Sequence, residues 1–325
     1  MKRRMHGRLA VGVCAIAVAA GSLLAQGQGQ GQGQGNGNGN GQDGAGIPAE
    51  DPGFKIAIHQ RNNLETAPTK GGITPLSPIT NHGGPVMVTP VAYLIWYGNW
   101  SQSNGTDNSS GQAIVRDFLN NVGGSGYFNI NKTYNGPSGM VSLGGETTDP
   151  GSQGTHLSDN SIKAIVTSAI TSHALPSDSS GVYFVLTSSN INKTGFCSQY
   201  CGWHTDANIG GNIIKYSFVG NAARCLNSCA AQTVGPNGNA GVDGMLSVVA
   251  HELEEATTDP QLNAWYDSSG AENADKCAWT FGQSQLQTTS GAYYNMTLGS
   301  RKYLIQRNLS KTDNKCYVNI DTKEQ

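Results

Sequence analysis

The chain has 325 residues, a net charge of −2, only 13% charged residues and 44 glycines. Charge so close to balance leaves no electrostatic footprint for nucleic acid and no basic patch for a membrane surface, which sets both aside as partners. Sparse charge with abundant Gly, Asn, Ser and Thr suits a loop-rich extracellular protein.

In chain order, residues 1–25 read as a cleavable export signal. Lys2, Arg3, Arg4 and Arg8 precede an apolar run from Leu9 to Leu24, and Ala25 offers a small residue for cleavage. The run is too short and too rich in Ala and Gly for a membrane anchor, so no span is expected after signal removal. Cys14 follows Val13, where a lipoprotein signal requires a small residue. Residues 26–46, rich in Gly, Gln and Asn, have nothing to bury and read as a flexible tether. Residues 47–325 show no internal repeat or linker and read as one domain, secreted, or periplasmic in a Gram-negative host.

Periodicity predicts a long strand over Val86 to Tyr97 and a helix over Gly111 to Val122, with Ile114, Val115, Phe118, Leu119 and Val122 on one face. A second helix is expected over Ser161 to His173, with Ser161 as N-cap. Buried strands follow at Gly181 to Ser188 and Ile213 to Val219. A third helix runs from Asp243 to Asp259, stopped by Pro260. Closing strands are expected at Tyr303 to Gln306 and Cys316 to Asn319. Strands and helices interleave without strict alternation, which predicts an α+β or α/β fold with a mixed central sheet flanked by helices. Several Asn-x-Ser/Thr sequons, among them Asn99, Asn131, Asn192, Asn295 and Asn308, matter in a host that glycosylates.

Beyond Cys14, six cysteines remain, an even number that suits disulfides in an exported chain. Their spacing favours Cys197 with Cys201, Cys225 with Cys229, and Cys277 with Cys316. Close pairs of this kind also serve as zinc ligands, although disulfides are the commoner use in this compartment.

The densest reactive cluster is His251-Glu252-Leu253-Glu254-Glu255. On a helix, His251 and Glu255 stand one turn apart on one face and can share a metal ion. Glu252 beside them is placed as a general base for a metal-bound water. With Gly270-Ala271-Glu272-Asn273-Ala274-Asp275 downstream, the segment resembles that of thermolysin-like zinc peptidases and their zincin-like arrangement. The resemblance implies Glu272 as third ligand and Asp275 as the residue orienting His251, or the reverse. Those peptidases read His-Glu-x-x-His, and Glu255 stands here in place of the second His. One His and two carboxylates suit zinc, manganese or iron, whereas calcium or magnesium would leave His251 idle. The alternative is an ordinary amphipathic helix whose acids sit on a solvated face. Three glutamates crowding a helix C-terminus, where the dipole disfavours them, favour a compensating cation. His204, in Cys201-Gly202-Trp203-His204, is a candidate ligand or catalytic acid/base, and His82 is a weaker one. No Gly-x-Ser-x-Gly elbow, phosphate loop or dinucleotide fingerprint occurs.

Five stretches together resemble the EXORDIUM/phosphate-induced protein 1 family. They are His82-Gly83-Gly84-Pro85-Val86 with Tyr93 to Gly98; Phe196-Cys197 through Cys201-Gly202-Trp203-His204; Val219-Gly220-Asn221-Ala222 through Cys225 and Cys229; Pro236-Asn237-Gly238 through Gly241-Val242-Asp243-Gly244-Met245; and Ala250-His251-Glu252-Leu253 with Glu255, followed by Asn263-Ala264-Trp265-Tyr266 and Ala274-Asp275 before Cys277. The resemblance implies the fold, export, the first two of the favoured disulfides, and a place for the His-Glu-x-x-Glu helix in a family pattern. It implies no reaction. Two readings follow: a secreted metal-dependent hydrolase, peptidase-like and zinc-using, acting on an extracellular substrate; or a non-enzymatic protein of the cell wall or surface.

Overall fold

The structure is a computed structural model describing residues 55–57 and 77–325. The expected export signal and tether lie outside those residues. Its centre is a six-stranded mixed sheet of β1 (Lys55–Ala57), β2 (Val91–Tyr97), β3 (Ser142–Asp149), β4 (Gly181–Thr187), β5 (Tyr200–Ile209) and β6 (Asn212–Gly220). The spatial order is β1-β5-β6-β4-β2-β3. β2 runs parallel to both β3 and β4, and β4 runs parallel to β6. β5 is antiparallel to both of its neighbours.

β4 is buried along its whole length and β2 along nearly all of it, so neither alternates apolar with polar residues, as befits strands covered on both faces. β2 begins at Val91 rather than the expected Val86. Pro90 has no N–H to give the ladder, and the residues before it bond elsewhere, Met87 N–H to the Thr257 carbonyl at 2.9 Å. β5 and β6 form a two-residue hairpin in which Ile209 faces Asn212. Gly210 and Gly211 both take positive φ, +63° and +91°, as such a turn requires.

Three helices cover the sheet: α1 (Ser109–Val122), α2 (Asp159–Thr171) and α3 (Ala240–Thr258). Each has a side-chain N-cap, from Asn108, Ser158 and Asn239 respectively. Ser161, expected as the cap of α2, is its third residue and completes a capping box with Ser158. α1 and α3 pack on each other, and α3 lies across β5 and β6. α2 belongs to the opposite face. Lys193 sits over the rings of Trp203 and Phe218, which alternate with His204 and Ser217, and it bonds to Asp159 at the start of α2. This is the expected α+β class with a mixed sheet. The expected closing strands are shorter and belong to two ribbons, Met296–Leu298 with Arg301–Tyr303 and Asn308–Ser310 with Lys315–Tyr317.

Three disulfides form, Cys197–Cys225, Cys201–Cys229 and Cys277–Cys316. The third is as expected. The first two correct the close pairing, since each cysteine bonds a partner 28 residues away. The physical reason lies in the short helical turn Leu226–Cys229 that follows Cys225. Residues four apart on a helix hold their Cβ atoms about 5–6 Å apart, beyond the roughly 3.5–4.5 Å a disulfide needs. Cys225 instead pairs with Cys197, just ahead of β5, and Cys229 with Cys201, the second residue of β5, forming a two-rung staple.

Candidate functional site

The site forms where α3 crosses β5. From Met245 to Thr258 every residue of α3 is buried, so the solvated-face reading of its acids does not hold. Three features let the helix lie so deep. Gly202 of β5 has no side chain where a Cβ would stand 2.6 Å from Val248 and 3.1 Å from Glu252. The segment carrying Glu272, Asn273 and Asp275 folds over the helix from the other side, Asn273 donating to the Glu254 carbonyl at 3.4 Å. Asp259 closes the helix, its N–H bonded to the Glu255 carbonyl at 2.7 Å and its carboxylate accepting from Asn263 and Ala264.

Two imidazoles converge on Glu255. His251 Nε2 lies 2.8 Å from Glu255 Oε1 and 3.5 Å from Asp275 Oδ1. The Asp275 N–H donates to Glu255 Oε1 at 3.1 Å, and Asp275 Oδ2 accepts from Glu272 N–H at 3.2 Å. His204, projecting from β5, sets Nδ1 3.4 Å from Glu252 Oε2 and 3.7 Å from Glu255 Oε2. Its Nε2 lies 3.3 Å from the Asp259 carbonyl and 3.8 Å from Glu272 Oε1. His204, His251, Glu252 and Glu272 are all fully buried, while Asp275 keeps 22% of its side chain exposed and marks the open side.

Unpaired polar atoms are concentrated here. Both oxygens of Glu272, Glu252 Oε1 and both ring nitrogens of His251 are buried without a hydrogen-bond partner. His251 Nε2 is near Glu255 but not in line with it for a hydrogen bond. Leaving such groups buried and unmatched costs about 1–3 kcal/mol each. Burial opposes charge on Glu255, but the facing imidazoles outweigh it and hold its carboxyl down at about 2. Burial also opposes charge on His204 and His251, yet the surrounding carboxylates keep both well above the usual imidazole range. Burial pushes Glu252 up to about 7 and raises Glu272 and Asp275 as well.

The structure thus brings His251, Glu255 and Asp275 together as one donor set and His204, Glu252 and Glu255 as another. Glu272, expected beside His251, stands instead against His204 Nε2. Glu252 points at His204, and Glu254 faces away to bond Asn308. His82 joins neither set; it is exposed and stacks on Tyr266 with ring centroids 3.6 Å apart. The contribution of Asp259 was not expected. Its only signal is its position as the residue before Pro260, where the helix must end and a main-chain carbonyl is left free for His204.

Residues 79–319 match the family model described as the phosphate-induced protein 1 conserved region. Protein EXORDIUM-like 3 of Arabidopsis thaliana is 34% identical over 270 residues, covering 69% of this chain and 78% of the relative. Protein EXORDIUM-like 5 of the same plant is 31% identical over 272 residues, covering 69% and 73%. Protein PHOSPHATE-INDUCED 1 of Nicotiana tabacum is 30% identical over 155 residues, covering 38% and 50%. No solved structure matches the chain.

Proposed function

The chain belongs to the phosphate-induced protein 1 family, and on that premise we propose that it is an exported, metal-dependent hydrolase. The observation that carries the metal is the convergence of His251 Nε2, Glu255 Oε1 and Asp275 Oδ1, with spacings of 2.8 and 3.5 Å from the imidazole. Donor atoms bonded to one ion at about 2.1 Å stand about 3.0–3.4 Å apart in octahedral or tetrahedral geometry; the two spacings bracket that range, and His251 Nε2 has no hydrogen-bond partner of its own. One nitrogen and two carboxylates favour zinc, with manganese or iron the nearest alternatives. Three protein ligands leave a position free, and a bound ion supplies a water acidic enough to be a nucleophile near neutral pH. Substrate reaches the site from the Asp275 side. The likeness of the helix to that of zinc peptidases favours a peptide bond as target, and an extracellular or cell-wall component as the molecule that contains it.

Export is supported by the basic and apolar order of residues 1–25 and by three disulfides, which persist in oxidising compartments. His204 and Glu252, the sequence candidates for acid/base work, are enclosed between β5 and α3. A general acid or base must reach the substrate or its water, so neither takes that role; His251, Glu255 and Asp275 would hold the ion, and the ion would supply the activated water.

The test is elemental analysis of the secreted protein together with hydrolysis of unfolded protein and peptide substrates. The expected result is bound divalent metal, hydrolysis abolished by chelator, and activity lost in His251→Ala. A metal-free protein whose melting temperature chelator leaves unmoved sinks the proposal and leaves a non-enzymatic role at the cell surface.

A further inference from the structure

The deeper half of the cluster plays no part in binding that one ion. We propose that His204 and Glu252, with Glu255 as a shared bridge, hold a second divalent cation beside the first, making the site a two-ion centre. This inference rests on the metal reading above.

The first support is the orientation of Glu255. Its two oxygens serve different imidazoles, Oε1 at 2.8 Å from His251 Nε2 and Oε2 at 3.7 Å from His204 Nδ1. A carboxylate presenting one oxygen to each of two donor sets is placed as a bridge, and paired ions in hydrolases stand about 3.5–4 Å apart. The second support is the tautomer of His204. Its Nε2 faces the Asp259 carbonyl at 3.3 Å, and a carbonyl only accepts, so the Nε2 position carries the proton. Nδ1 faces only carboxylate oxygens, Glu252 Oε2 at 3.4 Å and Glu255 Oε2 at 3.7 Å. A ring nitrogen facing two carboxylates calls for a positive charge between them, which a metal ion bound at Nδ1 supplies, and an N–H to a main-chain carbonyl is how metal-ligating histidines are oriented. The third support is Glu252 Oε1, a fully buried oxygen without a partner on the carboxylate that faces Nδ1. The donors are nitrogen and carboxylate oxygen with no sulfur, which selects the zinc, manganese and iron class for both positions.

A second proton on His204 would balance the same charges, and ion stoichiometry separates the two cases. Chelator-treated, refolded full-length mature protein is titrated with Mn2+, bound ions are counted by native mass spectrometry, and the sample is read by electron paramagnetic resonance. The expected result is saturation at two ions per chain with an exchange-coupled spectrum. His204→Ala is expected to keep one ion and lose the coupling. Saturation at one ion, removed by His251→Ala, overturns the second ion and leaves the hydrolase reading standing. Two ions with uncoupled spectra overturn the Glu255 bridge. No bound ion overturns both readings. Should His204→Ala fail to fold, the stoichiometry and coupling of the unsubstituted protein decide alone.

Discussion

Gly202 fixes how closely β5 and α3 approach. A Cβ there would meet the Val248 side chain at 2.6 Å, the Phe218 carbonyl at 3.0 Å and Glu252 Oε1 at 3.1 Å. Gly202→Ala is therefore expected to wedge the helix off the strand and cost about 1–3 kcal/mol, the usual range for overpacking a core. Because the wedge acts between His204 and Glu252, bound metal should fall with stability. A drop in melting temperature with full metal retention would show that the two groups are not held by this contact. At this scale the sequence was informative about chemistry and poor about direction. Helical spacing alone puts His251 and Glu255 on one face, and they do meet. No local pattern says that Glu252 turns to a strand 48 residues away, or that Glu272 serves His204 rather than His251, because those placements depend on how separate elements stack.

The elements that read most clearly from sequence were those whose apolar residues repeat, β2, β4, β6 and the three helices. β5 did not read as a strand. Its sequence, Tyr-Cys-Gly-Trp-His-Thr-Asp-Ala-Asn-Ile, has little β-branched character, and it is held instead by its ladder with β6, the rings of its outer face and the disulfide staple. β3, at the sheet edge, mixes half-buried and exposed residues and carries two glycines, so it too gave no apolar signal. The staple makes a prediction at this scale. Peptide mapping without reduction should recover Cys197 joined to Cys225 and Cys201 joined to Cys229. Removing one rung as Cys201→Ala/Cys229→Ala should cost about 2–4 kcal/mol, the typical range for a single disulfide. Recovery of Cys197–Cys201 peptides would overturn the pairing.

Across the whole molecule, burial decides which sequons are usable. Asn99 is exposed at the end of β2, whereas Asn131 and Asn308 are fully buried, Asn308 being bonded to Glu254. Asn295 spends its amide on the carbonyls of Phe281 and Ile305. Expressed in a glycosylating host, the protein should carry a glycan on Asn99 and none on Asn131 or Asn308. Glycopeptide analysis checks this, and a glycan on Asn308 in folded protein would contradict the packing around α3.

Cys201 and His204 lie three residues apart on β5, and Cys201 is tied to Cys229, eleven residues ahead of the first residue of α3. One oxidation event thus joins the strand that bears an imidazole to the segment leading into the helix that bears the carboxylates. Along the proposed export route, pairing of these thiols would hold the two walls of the proposed ion site at their final spacing. A chain still in a reducing cytoplasm lacks that covalent tie, so if the proposed ion site holds, the bonds that stabilise the fold would also confine metal binding to the oxidising compartment.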